Sequence, residues 1–181
     1  MRKINLILVI LALYTFTACS QEKSPFVSFE DYETLMAEVK DHRKARLLDL
    51  NDFIEMAKQE DVIILDARSN TMYTSKHIKG AVNLNFSEFT QETLAEIIPS
   101  FDTKILIYCN NNFEDDKENF PTKISMPKKE LKGGGDKEIT LALNIPTYMN
   151  LYGYGYKNVY EMNEILSVRD TRIEFEGTSV E

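Results

Sequence analysis

The chain has 181 residues, 43% hydrophobic and 28% charged, with 21 basic against 29 acidic side chains. That composition excludes a collagen, a multi-pass membrane protein and a wholly disordered chain. A net charge of −8 argues against nucleic acid as a partner, because binding it requires a surface that attracts phosphates. Two cysteines cannot build the disulfide framework of a small secreted domain.

Arg2 and Lys3 give the chain a basic start, and Leu6 to Leu13 is an unbroken apolar run. It is shorter than the roughly 20 apolar residues needed to span a bilayer. A basic start, a short apolar core and small residues after it predict a secretory signal peptide. Phe16-Thr17-Ala18-Cys19 resembles the lipobox of bacterial lipoproteins, with Phe16 where Leu is usual. The resemblance implies cleavage before Cys19 and diacylglycerol on its thiol. The protein is then lipid-anchored to a membrane of the cell envelope, on the periplasmic or surface side. Residues 1–18 are the signal peptide, and 19–28, polar with one proline, are a tether. With Cys19 acylated, Cys109 is the free thiol of the mature chain, and an unpaired cysteine outside the cytoplasm marks a reactive group.

Phe29, Tyr32, Leu35, Met36 and Val39 fall at helical spacing and predict an N-terminal helical extension over 29–45. A second helix fits Leu50 to Lys58, with Phe53, Ile54 and Ala57 inward and Asp49 as N-cap. Val62 to Leu65 and Lys104 to Tyr108 are apolar, β-rich runs of the kind buried on both faces of a parallel sheet. Between them, Ser87 to Ile98 reads as a helix capped by Ser87, with Phe89, Leu94, Ile97 and Ile98 inward. Residues 110–138 hold no sustained period and read as an insertion. Helical spacing returns with Ile139, Leu141, Ile145, Met149 and Tyr152; Pro146 must fall in a first turn or kink this helix, and Gly153 and Gly155 can end it. Lys157 to Tyr160 is a last strand, and the polar tail from Asn163, residues 163–181, reads as loop.

Strands alternating with helices predict an α/β fold with a central parallel sheet flanked by helices. Ligands of such sheets bind beyond the carboxyl ends of the strands. Cys109 directly follows the strand Lys104–Tyr108, which puts it at that mouth.

Four segments in order resemble a rhodanese domain of the sulfurtransferase superfamily. They are Asp66-Ala67-Arg68 after a strand, then Tyr73 with His77-Ile78-Lys79-Gly80-Ala81-Val82-Asn83, Ile107-Tyr108-Cys109, and Gly155-Tyr156-Lys157-Asn158-Val159 before the last core strand. Together they cover residues 46–162. The resemblance implies a rhodanese-like three-layer domain in which Cys109 is the catalytic nucleophile and carries sulfur as a persulfide. Asn110, Asn111, Asn112 and Phe113 become the active-site loop, whose backbone amides, ahead of a helix N-terminus, lower the thiol pKa. Asp66, Arg68 and His77 become supporting residues, read as hydrogen-bonded structural groups. The run Glu114-Asp115-Asp116 departs from the family loop, and negative charge close to the thiol raises its pKa and repels dianions such as thiosulfate.

With two histidines, His42 and His77, no metal-ligand cluster is readable, and no cofactor is expected. The expected partners are a sulfur donor and an acceptor thiol, on a small molecule or a protein. Two other readings use the same residues: a non-catalytic rhodanese-like module that binds a protein through the cleft and the insertion, and a thiol–disulfide participant in which Cys109 forms a mixed disulfide.

Overall fold

A computed structural model describes residues 27–127 and 135–180. The signal peptide, Cys19 and most of the tether lie outside the described residues. Among those described, no helix is long and apolar enough to cross a membrane.

The elements follow in chain order as α1 (Phe29–Lys44), β1 (Leu47–Leu48), α2 (Leu50–Ala57), β2 (Val62–Asp66), α3 (Asn70–Ser75), β3 (His77–Ile78) and β4 (Val82–Asn83). Then come α4 (Gln91–Ile97), β5 (Lys104–Tyr108), β6 (Phe113–Glu114), β7 (Ile124–Ser125), β8 (Ile139–Thr140), α5 (Asn144–Gly153), β9 (Val159–Met162), β10 (Leu166–Ser167) and β11 (Phe175–Glu176). Five strands form one parallel sheet in the order β1-β9-β5-β2-β4. The apolar runs read as strands are its two central neighbours, paired in register from Val62 with Lys104 to Asp66 with Tyr108. Their carboxyl ends are therefore level, and the residues that follow them, Ala67-Arg68 and Cys109, leave the sheet at one edge.

The alternation along β5 divides the core. Ile105 and Ile107 pack on one face with Val39 of α1, Leu94 of α4, and Tyr148 and Leu151 of α5. Leu106 and Tyr108 pack on the other with Leu50 and Phe53 of α2. The result is an α/β domain with the sheet between two layers. Each fully buried leucine or phenylalanine contributes about 1.5–3 kcal/mol, so both layers hold the sheet edge firmly.

Several local expectations are corrected. The stripe of α1 is largely exposed, at 70% for Phe29, 48% for Tyr32 and 50% for Met36; only Val39 is buried, with Leu35 half-buried. This helix meets α5 through its later turns. The helix expected from Ser87 starts later: Phe86–Glu88 is a short 3-10 turn, and Thr90 caps α4. Thr90 Oγ1 accepts from the Thr93 N–H, while Thr93 Oγ1 accepts from the Thr90 N–H, and that reciprocal pair outweighs the single hydroxyl of Ser87. The final helix begins at Asn144, not near Ile139, so Pro146 is its third residue, where its missing N–H costs nothing. Gly155, at φ +102°, ends the turn after α5.

Residues 110–138 and the tail carry more structure than their composition suggests. Phe113 and Phe120 from the insertion and Phe175 from the tail pack edge-on and tilted against one another beside Tyr108. β6 pairs with β10 and β11 with β3, so the tail read as loop is laid against the domain by two short strands, and Leu166 and Ile173 are buried. Short pairings between segments distant in sequence leave no periodic trace, which is why pattern alone misses them.

Candidate functional site

Cys109 ends β5 and stands where the carboxyl edge of the sheet meets the head of α5. Its Sγ accepts a hydrogen bond from the Leu143 N–H at 3.2 Å. Leu143 is the N-cap position of α5, so the sulfur receives a free amide and the positive end of a helix dipole. The Asn110 N–H also favours the thiolate, more weakly. The donors come from the residue that follows Cys109 and from the head of α5, 34 positions on.

The expectation of an accessible thiol is corrected: Cys109 is only 1% exposed. Burial pushes its pKa up and outweighs the two amides and Arg68, which pull it down; Asp66 adds to the rise. The charges acting on the thiol are thus those of Asp66 and Arg68. The acidic run is directed elsewhere, against expectation. Glu114 lies in β6, Asp115 is exposed at φ +67°, and Asp116 pairs with Lys76 at 2.9 Å and accepts from Asn119.

The three asparagines after Cys109 divide the work. Asn110 is buried, with its side-chain oxygen unpartnered. Asn111 pairs through its carboxamide with both peptide groups of Lys123, at 2.7 and 3.1 Å. Asn112 is a buried hub. Its Oδ1 accepts from the Cys109 N–H at 2.9 Å and from Asn144 Nδ2, while its Nδ2 donates to the carbonyls of Met162 and Glu164. It ties the loop to β9 and to α5. Phe113, expected in the active-site loop, belongs instead to the aromatic core on the face away from α5.

Asp66 and Arg68 form one unit. Arg68 donates from Nε and Nη2 to the Asp66 carboxylate, from Nη1 to the Asn119 carbonyl and from Nη2 to the Lys76 carbonyl. Its guanidinium lies 4.5 Å from the Phe120 ring centre. The Tyr108 hydroxyl donates to Asp66 and accepts from the Ile78 N–H. With every group engaged, Arg68 acts as a buried clamp between sheet, insertion and α3. His77 opens β3, stacked on Tyr73, with Nδ1 bonded to the Tyr73 carbonyl and Nε2 3.7 Å from Glu176. Sequence reasoning did not single out Leu143, Asn144, Asn119 or Phe120, and it quoted Tyr108 only as part of the strand motif before Cys109. The one signal for the first two was Pro146, which fixes where a helix can begin.

A cleft of about 590 Å³ opens at the carboxyl end of β9. Cys109 does not reach its wall, but Asn112, Ala142 and Asn144, which bond to or flank the residues holding the sulfur, do. Arg43 also lines it, paired in two-pronged fashion with the buried carboxylate of Glu161. Among the described residues, that pair leaves no free cation for an oxyanion at this wall.

The sequence model of the Rhodanese-like domain matches residues 49–164. The chain belongs to the rhodanese-like domain family. Similar solved structures include a protein of Bacillus halodurans, 20% identical, covering 83% of this chain and 86% of that one, with a TM-score of 0.47. A rhodanese from E. coli, solved with anions, is 17% identical over 64% of this chain and 98% of that one, at a TM-score of 0.38. EanB in complex with hercynine is 16% identical over 64% of this chain and 23% of that one, at 0.42. No match was found among curated proteins. The family and the parallel sheet support a sulfurtransferase-type or rhodanese-fold protein.

Proposed function

We propose that the protein transfers sulfur through a persulfide on Cys109. The observation that carries this reading is the Leu143 N–H aimed at Sγ from the head of α5. The Cys109 thiolate attacks the sulfane sulfur of a donor, forming an S–S bond as the donor's remaining fragment leaves with the electron pair. An acceptor thiolate then attacks the outer sulfur and restores the Cys109 thiolate. No outside oxidant or reductant is needed, because the sulfur transferred is already at the sulfane level. The amides stabilise the anionic sulfur in both half-reactions. The neighbouring cleft is the approach, and its balanced Arg43–Glu161 pair favours a neutral donor or a protein persulfide over thiosulfate.

The test is intact mass of the protein after exposure to sulfur donors. A gain of one sulfur atom is expected, and Cys109→Ser should abolish it. If the wild type gains none while the cleft still binds a protein, the domain is a binding module without turnover. The burial of Cys109 favours that second reading.

We further propose that the mature chain begins at a lipidated Cys19, which holds the domain at an envelope membrane. The basic start, the short apolar run and Ala18-Cys19 support it. Buried acyl carbons contribute about 0.8 kcal/mol each, and several chains together anchor stably. Cys19→Ala should release the protein from membranes or stop its processing; unchanged membrane fractionation and cleavage would count against the anchor.

A further inference from the structure

The sulfur of Cys109 is met by the end of a short strap, Leu141 to Leu143, between β8 and α5. One end of the strap continues into α5, whose Tyr148 and Leu151 are fixed in the core. The other end continues from β8, a two-residue strand paired only with the equally short β7 among the described residues, and is held there by hydrogen bonds. Asn111 donates from Nδ2 to the Lys123 carbonyl at 3.1 Å and accepts at Oδ1 from the Lys123 N–H at 2.7 Å. The same Lys123 carbonyl accepts the Leu141 N–H at 2.8 Å. Two residues later the Leu143 N–H reaches Sγ. The contacts close a ring that runs from Cys109 through Asn111, Lys123 and Leu141 back to the sulfur.

Little apolar burial reinforces that end. Leu141 is 61% exposed, Lys123 is exposed, and of the strap only the small side chain of Ala142 is buried. Segments held by a few solvent-reachable hydrogen bonds open far more readily than the core around them. Any chemistry at a thiol that is 1% exposed requires such an opening.

We infer that Asn111 is the latch of this strap. With its carboxamide on Lys123, Leu141 to Leu143 cover the sulfur; when it lets go, the strap lifts and Cys109 reaches the cleft. Asn111 is thus a positioning residue that acts through Lys123 and Leu141, and it gates the thiol whatever reagent arrives. The inference goes beyond sulfur transfer and does not require it, so a failure of sulfur uptake leaves it standing.

The test is the rate at which iodoacetamide modifies Cys109 in the folded full-length chain, read on the peptide that carries it. Asn111→Ala loses two hydrogen bonds and should react about tenfold to a hundredfold faster at neutral pH. Its half-maximal pH should fall, because burial is what holds the thiol pKa up. Asn111→Asp, which keeps the acceptor for the Lys123 N–H, should lie between. Leu94→Ala opens a cavity in the core under α4 and should leave the rate nearly unchanged while lowering global stability. A second measurement needs no substitution: in the wild type, the Leu141 and Leu143 amides should exchange hydrogen together, well before that of Ile107. Three results would overturn the latch. They are a wild-type alkylation rate in Asn111→Ala, an equal acceleration in Leu94→Ala, or strap amides that exchange only with global unfolding.

Discussion

Arg68→Ala is expected to cost the folded domain about 3–5 kcal/mol, the usual loss when one partner of a buried ion pair is removed. The side chains of Arg68 and Asp66 are 2% and 0% exposed, with Nη2 and Oδ2 2.6 Å apart. The substitution leaves a carboxylate in the interior with only the Tyr108 hydroxyl and the backbone N–H of residue 68 to hold it. It also strips the Asn119 and Lys76 carbonyls of their guanidinium donors. Against a typical domain stability of about 5–15 kcal/mol, this is a large share. Urea unfolding measures it directly. A loss under about 1 kcal/mol would mean that water fills the site and that the pair is not the clamp described.

The cause can be separated from the loss of packing. If the stranded charge dominates, Asp66→Asn combined with Arg68→Ala should be less damaging than the sum of the two single changes, a coupling that a double-mutant cycle reads. If packing against Phe120 dominates, the two losses should add. The clamp matters to function because it fixes the carboxyl ends of β2 and β5 together, one residue before the nucleophile.

What the sequence makes legible follows from interaction range. The strands at 62–65 and 104–108 are visible because full burial leaves continuous apolar runs. The Asp49 cap is visible because an N-cap is a local bond, and Asp49 does accept from the Asp52 N–H. Cys109 is placed at a strand end by the same logic. The sulfur's donor is not legible, since Leu143 lies 34 positions away and contributes a backbone N–H that every residue but proline has. Nor is the burial of the thiol, which depends on segments far from it in sequence. The acidic run misleads for a related reason. Proximity in sequence brings Asp116 within seven residues of Cys109, but its charge is spent on Lys76, 40 positions away. Even the motif residues are clearer in identity than in task, for Asp66, Arg68 and His77 sit in the family pattern yet are engaged in holding the fold.

Leu143→Pro should remove the cradle's main donor while keeping its backbone. Leu143 has φ −74°, inside the range proline fixes, and it stands at the N-cap of α5, where a proline breaks no intrahelical bond. Its carbonyl still accepts the Thr147 N–H. What is lost is the N–H to Sγ and the leucine side chain, and Leu143→Ala isolates the second. A hydrogen bond to a charged group contributes about 1.5–3 kcal/mol, so the thiolate population at neutral pH should drop by roughly tenfold to a hundredfold. The direction is fixed by the competing causes: burial already raises the thiol pKa, and the Leu143 amide is the largest influence opposing it. Removing that amide moves the pKa further up. Sulfur uptake by Cys109 should therefore fall at neutral pH and recover as the pH is raised, with its midpoint displaced upward from the wild type, while Leu143→Ala follows the wild-type profile. Uptake in Leu143→Pro equal to wild type across the pH range, in a protein that unfolds at the same urea concentration, would mean that the amide at the head of α5 does not stabilise the reacting sulfur. The persulfide reading would then lose the observation that carries it.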